Sequence, residues 1–260
     1  MTPYYEDDSV TLYLGDALAV LRELPDASVD AVVTDPPYSS GGFTRGDRTA
    51  STRTKYTDSD AQHALADFAG DNRDQRGYAY WCALWLSECL RVTSPAGVCL
   101  LFTDWRQLPA TTDALQAGGW VWRGLVPWAK TGYRPMAGRF AAQCEYVVWG
   151  SRGGMGLDFT DTCLPGFFLA AAPREREHIT QKPVDVLRSL VQIAPRGGVI
   201  LDPFMGSGTT GVAAVLEGRR FVGAEVVPAH AETGEQRIRT AAGQAIPKGA
   251  QGVLGFGAAS

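Results

Sequence analysis

No stretch of this sequence approaches the roughly 20 consecutive apolar residues needed to cross a bilayer. The first residues, Met1-Thr2-Pro3-Tyr4-Tyr5-Glu6-Asp7-Asp8, are acidic where a secretory leader would be basic and then apolar. Cysteine is sparse. There are five, an odd number, and none forms a Cys-x-x-Cys pair. Cys82 and Cys89 share one face of an expected helix and read as core. The three histidines, His63, His178 and His230, lie far apart. These shortages argue against a disulfide scaffold and a zinc site, and the expectation is a reduced, cytoplasmic protein with no membrane partner and no metal. Positive charge is also short: 24 Lys and Arg stand against 28 Asp and Glu, a net charge of −4. That argues mildly against a polyanionic partner.

What is present is ordinary globular composition, 45% hydrophobic and 20% charged over 260 residues. This suffices for one sizeable α/β domain. The charge is unevenly placed. Residues 39–56 carry Arg45, Arg48, Arg53 and Lys55 against the single acid Asp47. Residues 123–139 carry Arg123, Lys130, Arg134 and Arg139 and no acid. Local patches rather than the total decide phosphate affinity.

Periodicity predicts an opening strand, helix, strand: Val10–Leu14, Ala17–Leu24 and a buried run over 28–35, hence a parallel sheet. Residues 39–78 are polar and loop-like, with a weak helical stretch at 61–68, and are expected to form a mobile loop that closes over a substrate. A helix is predicted over Tyr78–Val92, a strand over Val98–Thr103, a helix over Leu108–Ala117, and strands over Trp120–Trp128 and Cys144–Trp149. Residues 151–177 read as irregular. Helix Val184–Ile193, strand Val199–Asp202, a helix to about Glu217 with Gly218 at its C′ position, strand Phe221–Val226 and a helix over 228–240 complete the chain. The expected fold is α/β: a doubly wound, mostly parallel sheet of seven strands in one domain over 1–242. A flexible tail is expected over 243–260.

Two strand ends carry chemistry. After the strand at 28–35 stands Asp35-Pro36-Pro37-Tyr38. The acid accepts hydrogen bonds, the prolines hold the Pro36 carbonyl in one direction, and Tyr38 offers a face for stacking. In an open α/β sheet ligands sit outside the carboxyl ends of the strands, so these residues suggest a grip on a planar group bearing an amine. By itself an Asp-Pro-Pro turn is also ordinary turn chemistry.

The second is Asp202-Pro203-Phe204-Met205-Gly206-Ser207-Gly208-Thr209, a strand end, a Gly-rich turn and a helix start. Such a turn lets a ligand approach the backbone and meet free N–H groups. Glu225, at the end of the next strand, lies roughly 20 residues further on, where an acid meets ribose hydroxyls. No Gly-Lys-Ser/Thr follows, so this is no phosphate-gripping loop; the turn is read as not Gly-x-Gly-x-x-Gly either, so a nucleoside is expected rather than a dinucleotide.

Together with Gln181-Lys182-Pro183, these motifs resemble the S-adenosylmethionine-dependent DNA amino-methyltransferases. Their order, the acid–proline motif first and the Gly-rich turn late, is similar to the circularly permuted β group. The resemblance spans residues 10–240 and implies a Rossmann-like methyltransferase fold with an antiparallel strand. It implies S-adenosylmethionine as cofactor, bound by Asp202, Pro203, Phe204, Gly206, Ser207, Gly208 and Thr209 at its methionine part and by Glu225 at its ribose. Asp16 would meet the adenine amino group, and Lys182 the methionine carboxylate or neighbouring DNA. Asp35, Pro36, Pro37 and Tyr38 would be catalytic. Target recognition would fall to the loop at 39–78 and to a variable segment around 131–177. Arg45, Arg48, Arg53, Lys55, Lys130, Arg134 and Arg139 would contact double-stranded DNA. A homodimer and a cognate restriction endonuclease are the other partners it leaves open.

The chemistry follows from the residues. The lone pair of a base's exocyclic amine is delocalised into the ring. Asp35 and the Pro36 carbonyl can each accept one N–H, turning the nitrogen toward tetrahedral for in-line attack. The base must first leave the duplex. Tyr38 would stack on it, with Trp128, Tyr133 or Phe140 on its other face. Attack through cysteine on cytosine carbon is set aside, because no Pro-Cys pair occurs. In the family an Asp at the first motif position leans toward N6 of adenine and Ser toward N4 of cytosine. The expectation is therefore an adenine-specific DNA methyltransferase, with N4 of cytosine as the alternative. A catalytically silent DNA- or nucleoside-binding scaffold is the reading from another class.

Overall fold

The computed structural model describes residues 1–37, 74–132, 137–155, 163–171 and 182–244. Its strands are β1 (Tyr5–Glu6), β2 (Val10–Leu14), β3 (Val29–Thr34), β4 (Thr93–Thr103), β5 (Val121–Lys130), β6 (Cys144–Ser151), β7 (Phe168–Ala170), β8 (Val199–Asp202) and β9 (Arg220–Glu225). The helices are α1 (Ala17–Glu23), α2 (Gln75–Val92), α3 (Leu108–Ala117), α4 (Val184–Val191), α5 (Thr209–Leu216) and α6 (Pro228–Gln244).

All these strands join one sheet in the order β1-β2-β9-β8-β3-β4-β6-β5-β7. The pairs β2–β9, β9–β8, β8–β3, β3–β4 and β5–β7 are parallel. β6 runs antiparallel to both of its neighbours, and β1 runs antiparallel to β2. The central strands are apolar on both faces, as strands covered twice must be. Ala31, Val33, Ile200 and Leu100 pack toward α4, α5 and α6, through Leu187, Val212 and Ile238. Val32, Leu201 and Leu101 alternate to the other face and meet α1, α2 and α3, through Leu21, Trp85 and Leu115.

The sheet has nine strands among the described residues, against the seven expected. The two additions are short edge strands. β1 arises in the acidic start, and β7 arises in the segment expected to be irregular. There the Trp128 indole N–H donates to Ala170 O at 3.1 Å, beside the β5–β7 pairing. Helix α2 begins at Gln75 rather than Tyr78, because Asp74 caps it by accepting from Gly77 N at 2.8 Å. β4 begins at Thr93 rather than Val98. Thr93 pairs with Val29 and Val98 with Ala31, so the intervening Ser-Pro-Ala-Gly is absorbed as a bulge. The weak helix at 61–68 and the tail from 245 lie outside the described residues.

Candidate active site

The chain steps from β3 to β4 on one side and from β8 to β9 on the other, so the sheet's order reverses between β3 and β8. A crevice opens at the carboxyl ends of such strands. Asp35 follows β3, and Asp202 ends β8. The two motifs, remote in sequence, become neighbours through a hydrogen bond from Thr34 Oγ1 to Asp202 Oδ1 at 2.6 Å. The cleft between them, open to solvent, encloses about 440 Å³ and is lined by Asp35, Phe102, Lys182, Asp202, Phe204 and Gly206 among others.

The Gly-rich turn is built for close approach. Gly206 and Gly208 have φ of +51° and +76°. A Cβ on Gly206 would meet nothing within 4 Å, so its exposed side is open. On Gly208 it would meet the Gly234 backbone at 2.9 Å, and on Gly211 the Phe221 ring at 2.8 Å. Gly206, Gly208 and Gly211 fall at the Gly-x-Gly-x-x-Gly spacing, which corrects the expectation that the turn lacks it. The third glycine serves the packing of α5 on the sheet and α6. Arg237 of α6 braces the turn, donating to Ser207 O at 2.5 Å and Ser207 Oγ at 2.9 Å. Phe204 is clamped against Trp81 and Trp85, at ring distances of 5.4 and 5.0 Å. Asp202 accepts from Phe204 N at 3.0 Å, and burial pushes its carboxyl up to about 6 against the hydrogen bonds from Thr34, Thr210 and Phe204.

Glu225 ends β9 on the far side of the turn. It accepts from Gly206 N at 3.0 Å and Val227 N at 2.8 Å, so its carboxylate is tied to the glycine turn itself. Asp16 follows β2, the next strand over, and caps α1 by accepting from Ala19 N at 3.1 Å. Both acids therefore lie at the same rim as Asp35 and Asp202.

Asp35 sits among charges. Lys182 donates to its Oδ2. The ammonium is also 3.4 Å from Glu145 Oε2 and lies over the Phe102 ring at 5.3 Å. Lys130 donates to Glu145 Oε1. The four groups form an alternating row, Asp35–Lys182–Glu145–Lys130. Burial pushes the Asp35 carboxyl up; Lys182 pulls it down and Glu145 adds to the rise. For Lys182, burial works downward but is outweighed by the two carboxylates, which hold it above the usual lysine range. Asp35 Oδ1 is buried and accepts no hydrogen bond among the described residues.

Other expected residues scatter. Tyr38, Arg45, Arg48, Arg53, Lys55, Tyr133 and Arg134 lie outside the described residues. Arg139 and Phe140 are exposed between β5 and β6, at the site's end of the sheet. Trp128 is 2% exposed, too deep to stack on a base. Arg123, near the amino end of β5, donates to Ser151 Oγ and Gly153 O, so it lies away from Lys130. The sequence reading missed Thr34, Phe102, Glu145 and Arg237. It also missed Trp105, which is 55% exposed just past β4 with the Arg106 guanidinium 5.1 Å from its ring.

Known proteins resemble this chain in sequence and in fold. The putative methylase YubD of Escherichia coli K12 is 28% identical over 239 residues, covering 91% of this chain and 92% of that one. A putative DNA modification methylase from Thermus thermophilus, solved complexed with S-adenosyl-L-methionine, superposes with a TM-score of 0.63 at 23% identity, covering 89% of this chain and 95% of that one. The cytosine-N4-specific PvuII DNA methyltransferase superposes at 0.65 with 16% identity, covering 93% and 94%. The family model for N6/N4 DNA methylases matches residues 29–163 and 165–236, most of the chain and both motif-bearing strand ends. The chain belongs to the N6/N4 DNA methylase family.

Proposed function

We propose that this protein transfers a methyl group from S-adenosylmethionine to the exocyclic N6 amine of an adenine flipped out of double-stranded DNA. The observation that carries this is the buried Asp35 carboxylate, with Oδ1 accepting nothing among the described residues, one strand away from the Gly-rich turn. A buried acceptor without a donor costs about 1–3 kcal/mol, a cost that an incoming N–H relieves. The open side of Gly206, the N-terminus of α5 and the acids Glu225 and Asp16 fit the cofactor. When bound, the cofactor supplies an electrophilic methyl on a sulfonium. Asp35 Oδ1 and the Pro36 carbonyl accept the amine's two N–H groups and aim its lone pair. The N–CH₃ bond forms as C–S breaks, and the surplus proton leaves to Asp35 or water.

N4 of cytosine is the second reading, supported by the superposition on a cytosine-N4-specific enzyme. The same grip serves either amine. Incubation with mixed-sequence duplex DNA and methyl-labelled S-adenosylmethionine, followed by digestion to nucleosides and mass analysis, decides between them. N6-methyladenine is the expected product. Label in neither base overturns the proposal. Asp35→Ala should abolish labelling while cofactor binding, measured by calorimetry, survives.

A further inference from the structure

The geometry points to Glu145 as a positioning residue for the transfer: through Lys182 it holds Asp35 so that one carboxylate oxygen is occupied and the other stays open to the target amine. This rests on the role proposed for Asp35.

Glu145 reaches the site because of strand direction. β6 is antiparallel to β4 and β5, so its first residues, not its last, lie at the carboxyl ends of the parallel strands. Glu145 pairs in register with Trp128 near the end of β5, and Tyr146 with Thr103 at the end of β4. From there the carboxylate meets both lysines. Lys182 is 5% exposed in its side chain, and Glu145 is 15% exposed. An ammonium so deeply placed beside one carboxylate would be drawn wholly to it and free to follow it. A second carboxylate, Glu145, anchored in turn by Lys130, stands 3.4 Å from the ammonium through an Oε2 that accepts no hydrogen bond, and holds it electrostatically. The ammonium then pins Asp35 at Oδ2 and leaves Oδ1 as the open acceptor. Asp35 is also within electrostatic reach of the buried Tyr78 phenol and of Asp202. Removing Glu145 would take away the second carboxylate beside the Lys182 ammonium and loosen its hold on Asp35 Oδ2. Misplacement of a reacting group by about 1 Å is enough to cost on the order of 100-fold in rate.

The test uses the full chain with duplex DNA and S-adenosylmethionine, with rates expressed per cofactor-binding site so that unfolded protein does not count. Glu145→Gln should lower kcat roughly 10- to 100-fold while the cofactor Kd stays within about threefold. Glu145→Asp, which keeps the charge, should recover part of the loss. In the Lys182→Gln background, adding Glu145→Gln should cost little more, because the two residues act as one unit. A wild-type kcat in Glu145→Gln overturns the inference. So do independent, multiplying effects in the double variant, and so does a cofactor Kd that weakens as far as kcat falls. Asp35→Ala run alongside separates the failures. If it still methylates, the reading of Asp35 falls. If it is silent while Glu145→Gln is fully active, only the role of Glu145 falls.

Discussion

Asp202 is 2% exposed, and its carboxyl is pushed up to about 6 from 3.8. The folded state therefore holds a proton on it that the unfolded chain has released between those values. Stability contributed at this residue falls as pH rises from about 4 to 6, the reverse of a salt-bridged aspartate. Asp202→Asn keeps an acceptor for Thr34 and Phe204 and removes the titration. The difference in unfolding free energy between wild type and variant should shift by roughly 2–3 kcal/mol in the variant's favour from pH 4 to 7, read by denaturant melts. Glu225 gives a prediction of the opposite kind. Its two oxygens hold Gly206 N and Val227 N, so its loss both frees the turn and removes the acceptor proposed for the ribose. Glu225→Ala should weaken cofactor affinity roughly 10-fold or more by calorimetry. These acids were legible in the sequence because each ends a buried strand. Glu145 was not: nothing around Cys144-Glu145-Tyr146 distinguishes it, and what brings it to Asp35 is the direction of β6, a property of the sheet's order.

Among the elements, the Gly-rich turn is the most tightly specified. Gly208 has φ of +76°, and the Gly234 backbone lies 2.9 Å from where a Cβ would be. Helix α6 therefore approaches the turn only because both positions are glycine. Gly208→Ala should cost about 2 kcal/mol or more and lower the melting temperature by several degrees, with loss of cofactor binding. The turn, its helix and the strands β2, β3, β8 and β9 were readable from periodicity and strand-end chemistry. β1, β7 and the bulge in β4 were not. They are short or irregular, and pairing partners far along the chain create them rather than local preference.

Across the whole molecule the net charge of −4 sets a limit on DNA binding. Lys130, one of the expected DNA contacts, is spent on Glu145, and Arg123 is held at the other end of its strand. On the proposed function, phosphate contacts then fall to a few arginines and lysines. With about four of them, the logarithm of affinity should fall with log salt at a slope near −4, on the order of 100-fold between 50 and 200 mM. Fluorescence anisotropy of a labelled duplex measures this directly; a salt-independent affinity would show that phosphate contacts do not carry the binding.

The hydrogen bond between Thr34 and Asp202 spans 168 residues and joins strands at the sheet's centre. On the ribosome Asp35 emerges well before Asp202, and β3 has no partner on its β8 side until β8 has been made. Until then the nascent protein carries an open central edge, the kind of surface that chaperones cover and that pairs wrongly in aggregates. The acid that is synthesised first joins the candidate site only once the strand carrying Asp202 has followed it.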